Sequence, residues 1–235
     1  MIPLIVIRPE PGCSASVGAA QELGLAAQGW PLFDVTPLPW DAPAPEKFDA
    51  LLVGSANAFR HGGGALAQYR DLPVHAVGAA TAAAGPGAGF AVAATGSGGL
   101  QAVLAAIPAG TRVLRLAGAE RVELRPPAGV TMTERVVYAS VPRPMPPALA
   151  ALLACPAAVL LHSAEAARHF AAECDRLGIG RAALALATIG PRVIAAVGLG
   201  WRAIAAAAEP TEAALLAEAR ELCQDLGGSP DLSGD

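Results

Sequence analysis

The sequence is poor in the features that most directly reveal a protein's chemistry. Of its 235 residues only 4% are aromatic, lysine occurs once, at Lys47, and cysteine occurs four times. The cysteines (Cys13, Cys155, Cys174 and Cys223) are far apart and show no CxxC spacing, which argues against a disulfide framework or a zinc site. None of the four histidines belongs to an HExxH motif. We therefore expect no metal site.

Positive charge and long apolar runs are also scarce. The chain has 16 Lys+Arg against 20 Asp+Glu, a net charge of −4, so it lacks the basic surface of a nucleic-acid-binding protein. It has no unbroken apolar run of about 18 residues, as a membrane-spanning helix needs. The N-terminus lacks a basic-then-apolar signal pattern. We expect a cytoplasmic monomer that binds neither nucleic acid nor a membrane.

Motifs for nucleophilic catalysis and nucleotide binding are missing too. There is no GxSxG elbow and no glycine-rich P-loop ending in lysine, and Gly96–Gly99 (GSGG) lacks the GxGxxG order. No two acids lie at the ends of neighbouring predicted strands. Catalysis by a nucleophile or a carboxylate pair therefore fits poorly.

What the sequence does contain is an internal repeat. Leu51–Phe59 (LLVGSANAF) returns as Val159–Phe170 (VLLHSAEAARHF), with an apolar run, a serine and a helical pattern in the same order. Further downstream, His75–Ala82 corresponds to Ala187–Ala195. The spacing between copies hardly drifts, and each copy occupies about half of the chain. The repeat predicts two similar units.

Apolar runs of strand length alternate with helical patterns. Strands are predicted at Leu4–Ile7, Phe48–Val53, Val74–Val77, Phe90–Ala93, Arg112–Leu116, Ala157–Leu161, Leu184–Ile189 and Trp201–Ala206. One helix is predicted from a Ser14 or Ser16 cap to Gln28, a second from a Ser55 cap to the glycines at 62–64, and a third from the end of the loop Thr95–Gly99 to Ile107. Further helices are predicted at Thr81–Ala84, Gly118–Arg125, Ala164–Cys174, Val193–Val197 and Glu212–Leu226. Strands that are apolar throughout indicate parallel sheets covered on both faces, an α/β fold.

Two proline-rich linkers, Trp40–Pro45 and Pro142–Pro147, bound the inner part of the chain. The chain then leaves its first domain, forms a second and returns, so the first domain is discontinuous. The predicted organisation is a first α/β domain at 1–35 plus 146–226, a second at 46–132, connecting segments at 36–45 and 133–145, and a disordered tail at 227–235.

Polar residues fall at the predicted strand-to-helix junctions. They are Ser55, Thr81, Ser163, Arg192 and Thr211. Ligands of α/β proteins bind at such junctions, and the free N–H groups of a helix N-terminus attract anions. Serine and threonine are also good helix caps, so capping alone is the alternative for each. The pattern predicts a cleft for an anionic ligand between two α/β domains.

An ordered set of short motifs resembles the uroporphyrinogen-III synthase family. The resemblance runs from Leu4 to about Leu226, and its pieces are Arg8-Pro9, Ser55-Ala56-Asn57-Ala58, Val77-Gly78, Thr81-Ala82, Val137-Tyr138, His162-Ser163-Ala164, Ile189-Gly190 and Pro210-Thr211. No single motif is specific. The order of the motifs, the internal repeat and the length of the chain together support the resemblance. The resemblance implies two α/β domains joined by two extended strands, Leu32–Leu38 and Thr133–Val141.

The resemblance also implies the reaction. The substrate is hydroxymethylbilane, a linear tetrapyrrole with eight carboxylates, which loses its hydroxyl, inverts ring D through a spiro intermediate and closes to uroporphyrinogen III. No cofactor is required. A polyanionic substrate agrees with the anion cleft inferred from the junction residues.

Site residues follow by position from the same resemblance. Tyr138 matches the family's tyrosine on the second connecting strand, where a phenol can assist hydroxyl loss; a packing tyrosine is the alternative. Arg8 can pair with a substrate carboxylate, or instead with an acid of the chain. The full set implied to bind substrate is Arg8, Ser55, Ala56, Asn57, Thr81, Ser163, Ala164, Arg192 and Thr211.

Three positions depart from the family pattern. Gly54 replaces a threonine before the serine, Arg192 follows Gly190-Pro191 where Thr-Ala is usual, and the glycines at 62–64 interrupt a helix. Two other functions therefore stay open: a binding protein that closes on a small anion, and an inactive family member that acts as a regulator.

Overall fold

The computed structural model describes residues 2–227, which form two compact units. Unit 1 contains the residues up to Asp34 together with those from Pro142 onward, and unit 2 contains Val35–Val141. Each unit has its own parallel sheet covered by helices, so the predicted α/β fold with a discontinuous first unit is confirmed. The predicted disordered tail lies outside the described residues except for Gly227, which ends the last helix.

Strands and helices alternate along most of the chain. The strands are β1 (Pro3–Val6), β2 (Ala26–Gly29), β3 (Phe33–Pro37), β4 (Ala50–Val53), β5 (Val74–Ala76), β6 (Val92–Thr95), β7 (Arg112–Gly118), β8 (Thr131–Pro142), β9 (Ala157–Leu161), β10 (Leu184–Thr188) and β11 (Ala203–Ala206). The helices are α1 (Gly12–Glu22), α2 (Asn57–His61), α3 (Ala79–Gly87), α4 (Leu100–Ala105), α5 (Pro147–Leu152), α6 (Ala164–Leu177), α7 (Pro191–Val197) and α8 (Glu212–Gly227). In the described part of the chain, no helix is long and apolar enough to cross a membrane.

The sheet of unit 1 has the order β11-β10-β9-β1-β2, with parallel pairing throughout. Alternate side chains of the first strand enter different cores: Ile5 and Ile7 pack with residues of α6 and α7, whereas Leu4 and Val6 pack with residues of α1 and α8. Because both faces are buried, the strand is apolar at every position.

The sheet of unit 2 has the order β3-β8-β7-β4-β5-β6, and the pairs from β8 to β6 are parallel. Leu51 and Val53 pack on one face with Phe59, and Leu52 packs on the other face with Leu104. The two strands implied as connections coincide with β3 and β8, in which the chain passes between the units.

The region after α1 differs from the prediction. The helix ends at Glu22 rather than Gln28, and Ala26–Gly29 forms β2, which pairs in parallel with β1. Gly24 adopts a φ of 77°, a conformation that glycine tolerates and that ends the helix. The predicted caps, Ser14 and Ser16, lie inside α1, whose N-cap is Pro11.

The predicted helix at Gly118–Arg125 is also wrong. Strand β7 runs through Gly118, and the segment after it has no helix. Its carbonyls are taken by arginine side chains: Arg115 Nη2 donates to Val122 O at 2.9 Å, and Arg121 Nη1 donates to Ala119 O at 2.7 Å. These bonds stabilise the segment, here called the 119–122 loop, in a non-helical conformation. Helix α5 was not predicted at all.

Candidate active site

The parallel strands of each unit end at one edge of their sheet, and the predicted site residues follow those ends. In unit 2 Ser55 follows β4 and Thr81 follows β5, whereas Tyr138 lies within β8, opposite Gly118 at the end of β7. Their counterparts in unit 1 are Arg8 after β1, Ser163 after β9, Arg192 after β10 and Thr211 after β11. This is the edge at which α/β proteins bind their ligands.

A cavity of about 170 Å³ opens at this edge of unit 2. It is lined by Ser55 and Tyr138, so the structure brings two of the predicted residues together. Thr81 is not among the lining residues. It is only 6% exposed, and its N–H donates to Gly78 O at 3.1 Å in the first turn of α3.

Ser55 does not cap α2 as predicted. The N-cap is Ala56, which makes no side-chain hydrogen bond, and the helix begins at Asn57. The Ser55 Oγ instead accepts a hydrogen bond from the Asn57 N–H at 3.2 Å. The Asn57 Oδ1 accepts from Arg60 Nη1 at 3.1 Å. Since the Ser55 hydroxyl serves only as an acceptor there, its O–H can still donate to a ligand.

Gly54, one of the three departures, also lines the cavity. A Cβ at this position would lie 3.0 Å from the Leu100 Cδ2 atom. Leu100 begins α4 and is itself a lining residue. A glycine at position 54 therefore accompanies a leucine that fills the space a larger side chain would need.

Tyr138 is half-buried, and its phenol borders the cavity. Its ring lies 6.4 Å from the His61 ring, centroid to centroid. The backbone carbonyl of Tyr138 accepts from the Ala119 N–H at 2.9 Å, which fixes the strand beneath the ring. Within residues 2–227 its hydroxyl makes no hydrogen bond. The phenol is thus positioned by the backbone and remains free to contact a ligand.

An arginine cluster beside Tyr138 was missed by the sequence analysis. Arg115 is buried within β7 and pairs with Glu134 of β8 through Nη1–Oε2 at 2.7 Å. Arg121 of the 119–122 loop contacts the other oxygen of Glu134. Burial lowers the pKa of Arg115, while the Glu134 charge opposes that shift. The available signal was Arg115 in the interior of a strand, RVLRLAG, that is apolar from its second residue onward except at this position.

In unit 1 Arg8 pairs with an acid of the chain, the alternative considered for it. Its Nη1 lies 3.0 Å from the Glu212 Oε2 and 3.3 Å from the Ser16 Oγ. The Glu212 carboxylate also contacts His162 Nε2, at 3.1 Å. Glu212 was not predicted, although it directly follows Thr211. The Arg8 cation is therefore already compensated within unit 1.

Burial and hydrogen bonding determine the protonation states of His162 and Glu212. Burial lowers the pKa of His162, so the ring is neutral at pH 7 and its Nε2–H donates to Glu212. Burial alone would raise the pKa of Glu212. The hydrogen bond from His162, the charge of that ring when it is protonated, the hydrogen bond from Ser16 and the Arg8 charge outweigh burial and lower the pKa to about 2. The His162 Nδ1 is buried and has no partner in the described part of the chain.

The remaining predicted residues of unit 1 differ in whether their side chains already make hydrogen bonds or ion pairs within the chain. Ser163 caps α6, because its Oγ accepts from the Ala166 N–H at 3.0 Å, and Ala164 is the first helical residue. Thr211 Oγ1 accepts from the Ala214 N–H at 3.3 Å. Arg192 is exposed and forms no ion pair with any described residue. Arg192 is thus the predicted cation of unit 1 that remains free for an anion.

Two α/β units, each with polar side chains at the carboxyl edge of a parallel sheet, define a ligand-binding protein of the two-unit α/β class. The model of the family "Uroporphyrinogen-III synthase HemD" matches residues 14–217, which include parts of both units. The chain belongs to the uroporphyrinogen-III synthase family.

Solved structures give the same fold. The chain resembles the uroporphyrinogen-III synthetase of Helicobacter pylori with a TM-score of 0.63 and 17% identity, over 94% of this chain and 100% of that one. It resembles a mutant uroporphyrinogen III synthase of Thermus thermophilus with a TM-score of 0.50 and 15% identity, over 96% and 100%. No curated protein sequence matches the chain.

Proposed function

We propose that this protein cyclises hydroxymethylbilane to uroporphyrinogen III, with loss of water and inversion of ring D. The observation that carries the proposal is the family match over residues 14–217. The enzyme is then a cofactor-independent lyase of tetrapyrrole synthesis, acting as a cytoplasmic monomer.

Tyr138 is the proposed catalytic residue. Its free hydroxyl can donate a proton to the leaving hydroxyl, whose carbon–oxygen bond breaks as a pyrrole nitrogen supplies the electron pair. The products of that step are water and an azafulvene cation. The phenolate regains its proton when the closing macrocycle releases one, so the residue ends unchanged.

The other predicted residues are proposed to bind the substrate. The helix N-termini offer N–H groups to carboxylates at Ala56 and Ala164. Asn57, whose N–H donates to the Ser55 Oγ, offers its side-chain amide instead. Hydroxyls are supplied by Ser55, Thr81, Ser163 and Thr211. Arg192 is the cation best suited to a carboxylate, because Arg8 is already paired with Glu212 at 3.0 Å.

The test is the isomer made from hydroxymethylbilane, which closes unaided to the type I product. Purified protein should convert most of the substrate to type III, as separated by chromatography after oxidation to porphyrins. Type I product at the uncatalysed rate would contradict the proposal and would favour the binding or regulatory alternatives. The oligomeric state is tested by light scattering and the location by cell fractionation.

A further inference from the structure

Two arginines share one carboxylate beside the unit 2 cavity. Glu134 contacts Arg115 through Oε2, at 2.7 Å from Nη1, and Arg121 through Oε1. Both arginines line the cavity that also holds Ser55 and Tyr138. One acid thus lies between two guanidiniums beside the cavity that Tyr138 lines.

Both guanidiniums keep a donor that Glu134 does not use. The Arg115 Nε is buried and has no hydrogen-bond partner among residues 2–227, and this side chain is only 3% exposed. Arg121 donates from Nε and Nη1, whereas its Nη2 makes no hydrogen bond within the same residues. A buried charged donor without a partner is rare in folded proteins, so it points to a group from outside the chain.

The chemistry of these donors selects the ligand. Guanidinium nitrogens lie in one plane and match the two oxygens of a carboxylate or the oxygens of a phosphate. Glu134 demonstrates that a carboxylate fits between the two arginines. Glu120, the acid that lines the cavity, is exposed, so solvent and salt screen its repulsion of an anion.

We propose that Arg115 and Arg121 form a carboxylate-binding pair that holds one carboxylate of the tetrapyrrole beside Tyr138. The inference rests on the proposed function for the identity of the ligand. Glu134 competes with the bound carboxylate for the same two guanidiniums. Because the 119–122 loop is held by both arginines, the bound carboxylate also fixes that loop against the cavity.

The test is the affinity for uroporphyrin III, a stable porphyrin with eight carboxylates, followed by fluorescence titration. Arg115→Lys keeps the charge but loses the Nε–H, and we expect affinity to fall about tenfold. Glu134→Gln removes the competing charge and should tighten binding several-fold. The matched control is Arg112→Lys, on the same strand and paired with Asp49, which should leave the affinity unchanged.

The sign of the Glu134→Gln effect separates binding from a structural role. If the cluster only stabilises unit 2, Glu134→Gln lowers the melting temperature and does not tighten binding, which overturns the inference even where Arg115→Lys fails to fold. Unchanged affinity in folded Arg115→Lys overturns it as well. Isomer analysis of the parent protein is separate: type I product with the expected affinity pattern would contradict only the proposed function.

Discussion

The ring of Tyr138 lies directly against Gly118 of the neighbouring strand. A Cβ at position 118 would come within 2.7 Å of the Tyr138 Cε2 and Cζ atoms and 2.9 Å of its hydroxyl oxygen. The two residues are register partners of β7 and β8, next to an irregularity in the pairing. Glycine at this position therefore permits the ring position that places the phenol at the cavity.

Gly118→Ala should displace the Tyr138 ring and reduce turnover at least tenfold, because small misplacements of a catalytic group carry large rate penalties. The far-ultraviolet circular dichroism should stay that of the parent. Gly87→Ala is the matched control, since a Cβ at Gly87 meets nothing within 4 Å. Equal turnover of the two variants would show that the ring position is not set by Gly118.

Glu173 anchors the chain where it returns to unit 1. It is 7% exposed and accepts from the Met145 N–H at 2.6 Å and from Arg176 Nε at 2.7 Å. The Arg176 hydrogen bond and then the Met145 N–H lower its pKa to about 2 despite burial. Glu173→Ala should lower the free energy of unfolding by roughly 2 kcal/mol, since hydrogen bonds to charged groups are worth about that much.

Urea unfolding at pH 7 measures this effect, with Glu221→Ala on the exposed face of α8 as the control. That control should change the unfolding free energy by less than about 0.5 kcal/mol. Because the Glu173 pKa is lowered, its contribution is present above pH 4.5 and is lost as the pH falls towards about 2. A Glu173→Ala protein as stable as the control would contradict the anchoring role.

His162 makes the free energy of unfolding depend on pH in a higher range than Glu173 does. Its pKa in the folded state is lowered below 6.5 by burial, so the unfolded chain binds the proton more tightly. Stability should therefore fall as the pH drops below about 6.5, by up to about 1.4 kcal/mol per pH unit for one proton. Glu212, with its pKa lowered to about 2, does not titrate in this range.

Unfolding free energies of the parent and of His162→Gln between pH 7.5 and 5 measure the effect. His61 and His75 also have pKa values lowered by burial, but both proteins keep them, so the difference isolates His162. The variant should show the shallower decline. Parallel curves would mean that His162 is protonated equally in the folded and unfolded chains.

The two units could be predicted from the sequence because both copies of the repeat contain strands that are apolar throughout. Strands have that pattern when both faces of their sheet are buried. The prediction failed where tertiary contacts override local preference. Ala26–Gly29 has little strand propensity and becomes β2 only through pairing with β1. The 119–122 loop is held open by arginine side chains whose acceptors cannot be deduced from spacing.

The candidate site divides in the same way. Ser55 and Ser163 could be placed because they follow strand ends, and the local order of strand, turn and helix is visible in the sequence. Tyr138 lies inside β8 and was placed only through the family resemblance. Glu134 and Glu212 could not, since each is defined by a partner far along the chain: Arg115 and Arg121 for one, Arg8 and His162 for the other.

The contribution of Tyr138 to catalysis can be separated from binding. Binding of a polyanion is spread over many donors, so Ser55→Ala or Thr81→Ala should remove about 1 kcal/mol and slow turnover only about fivefold. Assistance to hydroxyl loss falls on one phenol, and general acid catalysis is typically worth a hundredfold or more. Tyr138→Phe should therefore lower turnover about a hundredfold or more while its product remains type III, since ring D is still held by the other contacts. Stopped-flow turnover with isomer analysis measures both. Turnover of Tyr138→Phe within about threefold of the parent would make the phenol a packing residue and leave positioning as the source of catalysis.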